Sequence, residues 1–275
     1  MKDTRSIEKT LLAGDVIARI KTNIDAPWQS ETVDTFKSGG PHMQITGIAT
    51  TFMATLEVLQ KAKARNLNLI ISHEPTFYNH LDQTDTYGND SIVAAKQKYI
   101  EENKLTIFRF HDHWHSKDPD GIYKGVVAKM DWEDYEYSQR PYLYELPRTT
   151  LKKISKGLMD VFKTKSIRVV GNPDSEITKV GLVLGAAGSK SQIEVLQRRD
   201  VQLLIVGETR EWETVPYVYD AASMGKSKSL IILGHETSEE AGMDYCADWI
   251  STFVNEVPVE FISTGNPFWN PGFEN

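Results

Sequence analysis

Cysteine is nearly missing from this sequence: Cys246 is the single thiol in 275 residues. One thiol excludes an intrachain disulfide framework and suits a reducing compartment. No apolar run reaches bilayer-spanning length, and residues 1–10 are charged without a signal-like core behind them. These absences point to a cytoplasmic protein. Positive charge is also not in excess. Lys and Arg total 31 against 38 Asp and Glu, a formal net charge of -7, so nucleic acid is not expected as a partner. There is no low-complexity tract, no GxxxxGK[ST] phosphate loop and no GxSxG elbow. Gly185-Ala186-Ala187-Gly188-Ser189 is only a weak phosphate-cradle candidate.

What is present centres on residues 66–80, NLNLIISHEPTFYNH. Leu67, Leu69, Ile70 and Ile71 form an apolar run without polar alternation, which reads as a strand buried on both faces. Pro75 cannot donate to a ladder, so the strand ends near Glu74. His73 and Glu74 therefore stand at a strand's C-terminal edge, where open α/β sheets place ligands. A polar turn is the plainer alternative for this stretch.

Around it the spacing predicts a helix over 7–23, a strand over 45–50, a helix over 52–64 and a strand over 67–72. A helix over 91–103 and a strand over 105–110 follow, then the cluster His111-Asp112-His113-Trp114-His115. A turn at 118–121 precedes a helix over 122–130; residues 132–144 carry no clear pattern. Thr150 is positioned to cap a helix over 151–162. Later strands are expected at 167–170, 180–183, 201–206 and 230–233, with helices over 191–199 and 216–224 and one starting near His235. The order repeats, and Ile193–Gln197 (IEVLQ) echoes Leu56–Gln60 (LEVLQ). The fold class is α/β: two similar lobes of mostly parallel buried strands, residues 1–130 and 165–275, joined by a divergent connector over 131–164.

Four strand ends now carry polar groups: His73 with Glu74, the cluster at 111–115, Glu208, and His235 with Glu239. The i, i+4 spacing of His235 and Glu239 brings both to one face of a first helical turn. Neutral imidazoles and carboxylates projecting from rigid element ends are what a metal site requires. Singly, each has a bland account: a turn histidine, a solvated loop, a carboxylate at a helix N-terminus, a capping Glu208. Nitrogen and oxygen donors without thiolate suit zinc, iron, manganese or cobalt.

IISHEP, the histidine cluster after the next strand, GET in the second half and GHETSEEAG resemble motifs of the Nif-three-like family, dinuclear-metal proteins labelled GTP cyclohydrolase I type 2-like. The resemblance covers roughly residues 45–115 and 179–250. It implies two α/β lobes with a site for two divalent metals between them at strand C-terminal ends, a homohexameric assembly, and hydrolysis of a small molecule. The ligands it implies are His73, Glu74, His111, His115, His235 and Glu239. Glu74 stands where the family has a second histidine and His115 where it has an aspartate, so donor number is preserved. His113 is the weakest member of its cluster. Glu208 serves equally well as a catalytic acid or base or as a cap. Trp114, Trp212 and Tyr78 could stack on a ring-bearing substrate or pack structurally. The substrate would be a nucleotide, phosphoester or cyclic amidine. The competing function is a non-catalytic metal-binding scaffold or regulatory interaction protein.

Overall fold

The computed structural model describes residues 10–139 and 141–271. It forms two compact units, the first within Met1–Gly121 and Met243–Thr264, the second Ile122–Gly242 with Gly265–Asn275. The sequence division at 130 and 165 follows chain order, whereas compactness returns Met243–Thr264 to the first unit.

The first unit opens with α1 (Ala13–Asn23), whose Val16, Ile17 and Ile20 are buried at helical spacing. Residues 7–9 of the expected helix lie outside the described residues. β1 (Phe36–Ser38), β2 (Ile48–Thr51), α2 (Leu56–Ala64), β3 (Leu69–Ser72), α3 (Ser91–Glu102), β4 (Thr106–Arg109) and the short α4 (Asp112–Ser116) follow. Two caps fix where helices start. Thr55 Oγ1 accepts the Val58 N–H at 3.2 Å, and Asp90 Oδ1 accepts those of Ile92 and Val93 at 2.9 and 3.0 Å. Strands β2, β3 and β4 pair in parallel, with Ser72 opposite both Thr51 and Arg109. Every residue of the three is buried, as the unalternating apolar runs require. β1 joins β4 antiparallel at one edge. The other edge beside β2 is filled from the far end of the chain, by Val259–Phe261.

The second unit repeats this plan with an addition. α5 (Gly121–Met130) leads to β5 (Glu136–Gln139) and β6 (Tyr142–Thr150), an antiparallel pair of which β5 and the start of β6 fall in the stretch, 132–144, that had no readable pattern. α6 (Leu151–Phe162) starts where expected, Thr150 Oγ1 accepting the Lys153 N–H at 3.3 Å. Then come β7 (Arg168–Val170), β8 (Glu176–Val183), α7 (Ser189–Gln197), β9 (Leu203–Val206), α8 (Thr214–Ser223), β10 (Ser229–Ile232), α9 (His235–Ser251) and the already placed edge strand, β11 (Val259–Phe261). The second sheet runs β5-β6-β8-β9-β10-β7. Its parallel trio β8-β9-β10 corresponds to β2-β3-β4, and antiparallel β7 flanks β10 as β1 flanks β4. The chain is thus α/β with two similar halves and parallel central strands. Among the described residues no helix is long and apolar enough to cross a membrane.

Candidate metal centre

Both halves carry their polar groups just past the ends of the parallel strands. In the first unit His73 follows β3, its N–H donating to Thr51 O at 3.1 Å and its ring fully buried. His111 follows β4, and His115 lies one turn further on, its N–H donating to His111 O at 3.1 Å. That turn of helix places the two imidazoles on one side. The His73 ring lies 4.5 Å from that of His111 and 5.0 Å from that of His115, centroid to centroid. One ligand atom from each of the three lies within 4.8 Å of the others. Nitrogens sharing one zinc-like ion lie about 3.4 Å apart, given bonds near 2.1 Å.

The ring tautomers follow from the outer partners. Asp112 Oδ1 sits 2.9 Å from His111 Nδ1, and Asp120 Oδ2 sits 2.9 Å from His115 Nδ1. A carboxylate only accepts, so both Nδ1 atoms carry the proton and present Nε2 as the donor to a cation. This is the usual outer-carboxylate arrangement of metal-bound imidazole. Phe110 O lies 3.3 Å from His73 Nδ1 and orients that ring similarly. Burial, reinforced by His73 and His115, lowers the His111 pKa to about 4, so its imidazole is neutral at pH 7 as coordination requires. Asp112 is drawn down to about 2: burial opposes its charge, but bonds from His111, Thr32 and the Val33 N–H prevail.

Glu74 borders this cluster. Its Oε1 lies 3.7 Å from His111 Nε2, and its Oε2 lies 3.7 Å from Nη2 of the fully buried Arg109. Arg109 also donates from Nε to His73 O at 3.1 Å and from Nη1 to His80 O. One guanidinium thereby fixes the backbone at His73 and the loop beyond it.

His113 is not part of the cluster. Its Nδ1 donates to Asp34 Oδ2 at 2.7 Å, its Nε2 accepts the Gln29 N–H at 2.8 Å, and its ring stacks on Trp28 at 3.7 Å. Both nitrogens are consumed, which makes it a structural histidine. Asp34 also accepts the backbone N–H groups of His111, Asp112 and His113, shaping the turn that aims the ligands. Trp114 is core, packed against Phe110, Tyr245 and Trp249, whereas Trp212 and Tyr78 are exposed. The signals for the orienting aspartates were faint: Asp112 and Asp120 adjoin the cluster and the DPDG turn, but nothing in the sequence singles out Asp34.

The second unit presents the corresponding pair. His235 follows β10 as His111 follows β4, and Glu239 is one turn on, as His115 is. Glu208 Oε1 lies 3.0 Å from His235 Nδ1, and Glu239 Oε2 lies 3.1 Å from His235 Nε2. A neutral imidazole has one N–H. With one ring N–H given to Glu208, Nε2 faces a carboxylate oxygen, a pairing that either a second ring proton or a cation satisfies. Glu239 is buried and lies against Gly185 (φ 61°), where an added Cβ would stand 2.0 Å from Oε1. Glu208 is fastened by its N–H to Gly185 O at 2.8 Å and by its carbonyl, which accepts from Gln192 Nε2 at 2.7 Å. The three imidazoles of the first unit therefore fit a divalent metal, and His235 with Glu239 in the second unit offers donors of the same kind.

The chain is similar to known proteins over most of its length. The family profile described as Duf34/NIF3 (NGG1p interacting factor 3) matches residues 27–267. A Clostridium acetobutylicum protein named GTP cyclohydrolase 1 type 2 homolog is 24% identical over 212 residues, 73% of this chain and 75% of that relative. The crystal structure of Staphylococcus aureus protein SA1388 superposes with a TM-score of 0.73 at 16% identity, covering 94% of this chain and 99% of that one. A Bacillus cereus protein described as related to NIF3 gives a TM-score of 0.69 at 13% identity, covering 95% and 100%.

Proposed function

Because this chain belongs to the Duf34/NIF3 family, we propose that it is a metal-dependent hydrolase with a dinuclear centre acting on a small molecule. The carrying observation is the three imidazoles of His73, His111 and His115, with ligand atoms mutually within 4.8 Å and outer groups at their Nδ1 atoms. Glu74, His235 and Glu239 supply the remaining donors, in the positions that the family motifs assign to ligands. A divalent ion held there, zinc, iron or manganese, supplies Lewis acidity and lowers the pKa of water towards neutrality. Glu208 holds the proton at His235 Nδ1 and is the candidate acid or base. Arg109 orients Glu74 and the His73 carbonyl from beneath. The relatives named GTP cyclohydrolase 1 type 2 homolog bring nucleotides into the substrate range, beside other phosphoesters and cyclic amidines. A homohexamer and a cytoplasmic location complete the reading.

The test begins with elemental analysis of full-length protein purified without chelator or metal-affinity tag. About two divalent ions per chain are expected, as in two-metal hydrolases. His111→Ala and Glu239→Ala should each lose metal while circular dichroism stays unchanged, and both should lose metal-dependent turnover of a phosphodiester and nucleotide panel. An empty wild-type protein, or variants with full metal content, would refute the metal reading. Full occupancy without turnover would favour the scaffold.

A further inference from the structure

Between β8 and α7 the chain makes a glycine-rich turn, Leu184-Gly185-Ala186-Ala187-Gly188. Gly188 has φ 84° and ψ 157°, a conformation essentially reserved for glycine, and a Cβ there would meet nothing within 4 Å. No side chain caps α7. Among the described residues no acceptor is found for the backbone N–H groups of Ala186, Ala187, Gly188, Ser189, Lys190 and Ser191. Ser189, the first residue of the helix, is 5% exposed, yet its buried Oγ has no hydrogen-bond partner among the described residues. The Cα–Cβ bond of a helical residue tilts towards the helix N-terminus, so Ser189 Cβ leans towards the glycine turn. A buried, unpartnered hydroxyl beside a run of unused N–H groups is a set of donors without an acceptor.

We propose that residues 185–188 and the first turn of α7 cradle a phosphate group, so that the substrate is a phosphorylated small molecule. The substrate assignment rests on Glu208, His235 and Glu239 being the reacting centre; the cradle itself does not. Unpaired N–H groups at a helix N-terminus and the positive end of its dipole favour a dianion. The turn is tied to the candidate centre at Gly185. Its N–H is taken by Ser238 Oγ at 3.1 Å, its carbonyl by the Glu208 N–H, and its Cα packs on the Glu239 carboxylate. A phosphate held by the next residues is therefore adjacent to the acidic donors. The positive character comes from the backbone, since Lys190 pairs with Glu194 at 3.5 Å.

Full-length protein treated with chelator is titrated with inorganic phosphate by calorimetry and phosphorus NMR, and metal content is measured on untreated samples. Proline is tolerated at the first helical position, so Ser189→Pro removes an N–H and the hydroxyl with the helix retained. Ser189→Ala removes the hydroxyl alone. Wild type should bind saturably, Ser189→Pro roughly tenfold more weakly and Ser189→Ala several-fold more weakly, as expected for charge-assisted bonds. Should Ser189→Pro fail to fold, Ser189→Ala and Gly188→Ala carry the comparison. Wild type that binds no phosphate without metal, or Ser189 variants that bind it undiminished, would overturn the cradle. A metal-free wild type that binds phosphate through Ser189 would support the cradle while the hydrolase reading failed; full metal content without phosphate binding would do the reverse.

Discussion

Lys96 is 3% exposed, and its Nζ donates to Thr76 O at 2.6 Å, pinning the loop that follows Pro75. Desolvation lowers its pKa to about 8, with Asp82 pulling the other way. The folded pKa thus lies below the unfolded value near 10.4, so the unfolded chain binds more protons between pH 8 and 10.4 and stability rises with pH in that window. The full charge-burial penalty, ~3 kcal/mol, applies below pH 8. Lys96→Met removes the charge but keeps an apolar stem beside Phe77 and Tyr78. The wild-type minus variant difference in urea stability should therefore grow by about 3 kcal/mol from pH 7.5 to 10.5. A flat difference would show that the amine is hydrated in solution. Such roles are illegible from residue type alone. His111, His113 and His115 share one residue type, and in the structure what separates them is where Asp34, Asp112 and Asp120 arrive.

At the scale of elements, α9 carries His235 and Glu239, and its first half is held by close contact with α5. A Cβ on Gly125 would stand 2.4 Å from Ala241 O, and one on Gly242 would stand 2.5 Å from Ile122 Cα. These are backbone atoms, which cannot swing aside as a side chain can. Gly125→Ala should therefore destabilise the second unit by about 1–2 kcal/mol, overpacking outweighing the gain in helix propensity. By shifting α9 it should also weaken metal binding, read by titration of the apoprotein. Unchanged stability and affinity would mean that the helices part freely. The central strands were legible because burial on both faces writes continuous apolar runs such as Leu69–Ser72 and Leu203–Val206. Of the edge strands, β7 matches the strand expected at 167–170, whereas β1, β5 and β11 were not legible. β5 alternates half-buried with exposed residues, β1 and β11 are three half-buried residues each, and a short edge leaves almost no pattern. The i, i+4 spacing of His235 and Glu239 was visible, but α4 is too short to announce itself as a helix around His111 and His115.

For the molecule as a whole, the consequence of two related halves is that the first cannot close without the end of the chain. β11 pairs with β2 in parallel, Val259 opposite Ile48 and Phe261 opposite Thr50. Ile48 N–H donates to Pro258 O and Ile262 N–H to Thr50 O, both at 2.9 Å. Ile262, 3% exposed, belongs to the same core as Ala49, Leu67 and Ile70. Contacts this distant in sequence form late and slowly, because loop closure must precede them. They also reach the candidate metal cluster, since His73 N–H donates to Thr51 O, one residue beyond the β11 ladder. Ile262→Ala should cost the first unit about 3 kcal/mol, the usual loss for a buried isoleucine cut to alanine. Hydrogen exchange should then accelerate in peptides covering residues 45–75 and stay unchanged over 200–235, because the second unit has its own sheet and core. Acceleration spread evenly over both regions would mean that the chain unfolds as one cooperative body, and the two units would then be divisions of contact rather than of stability.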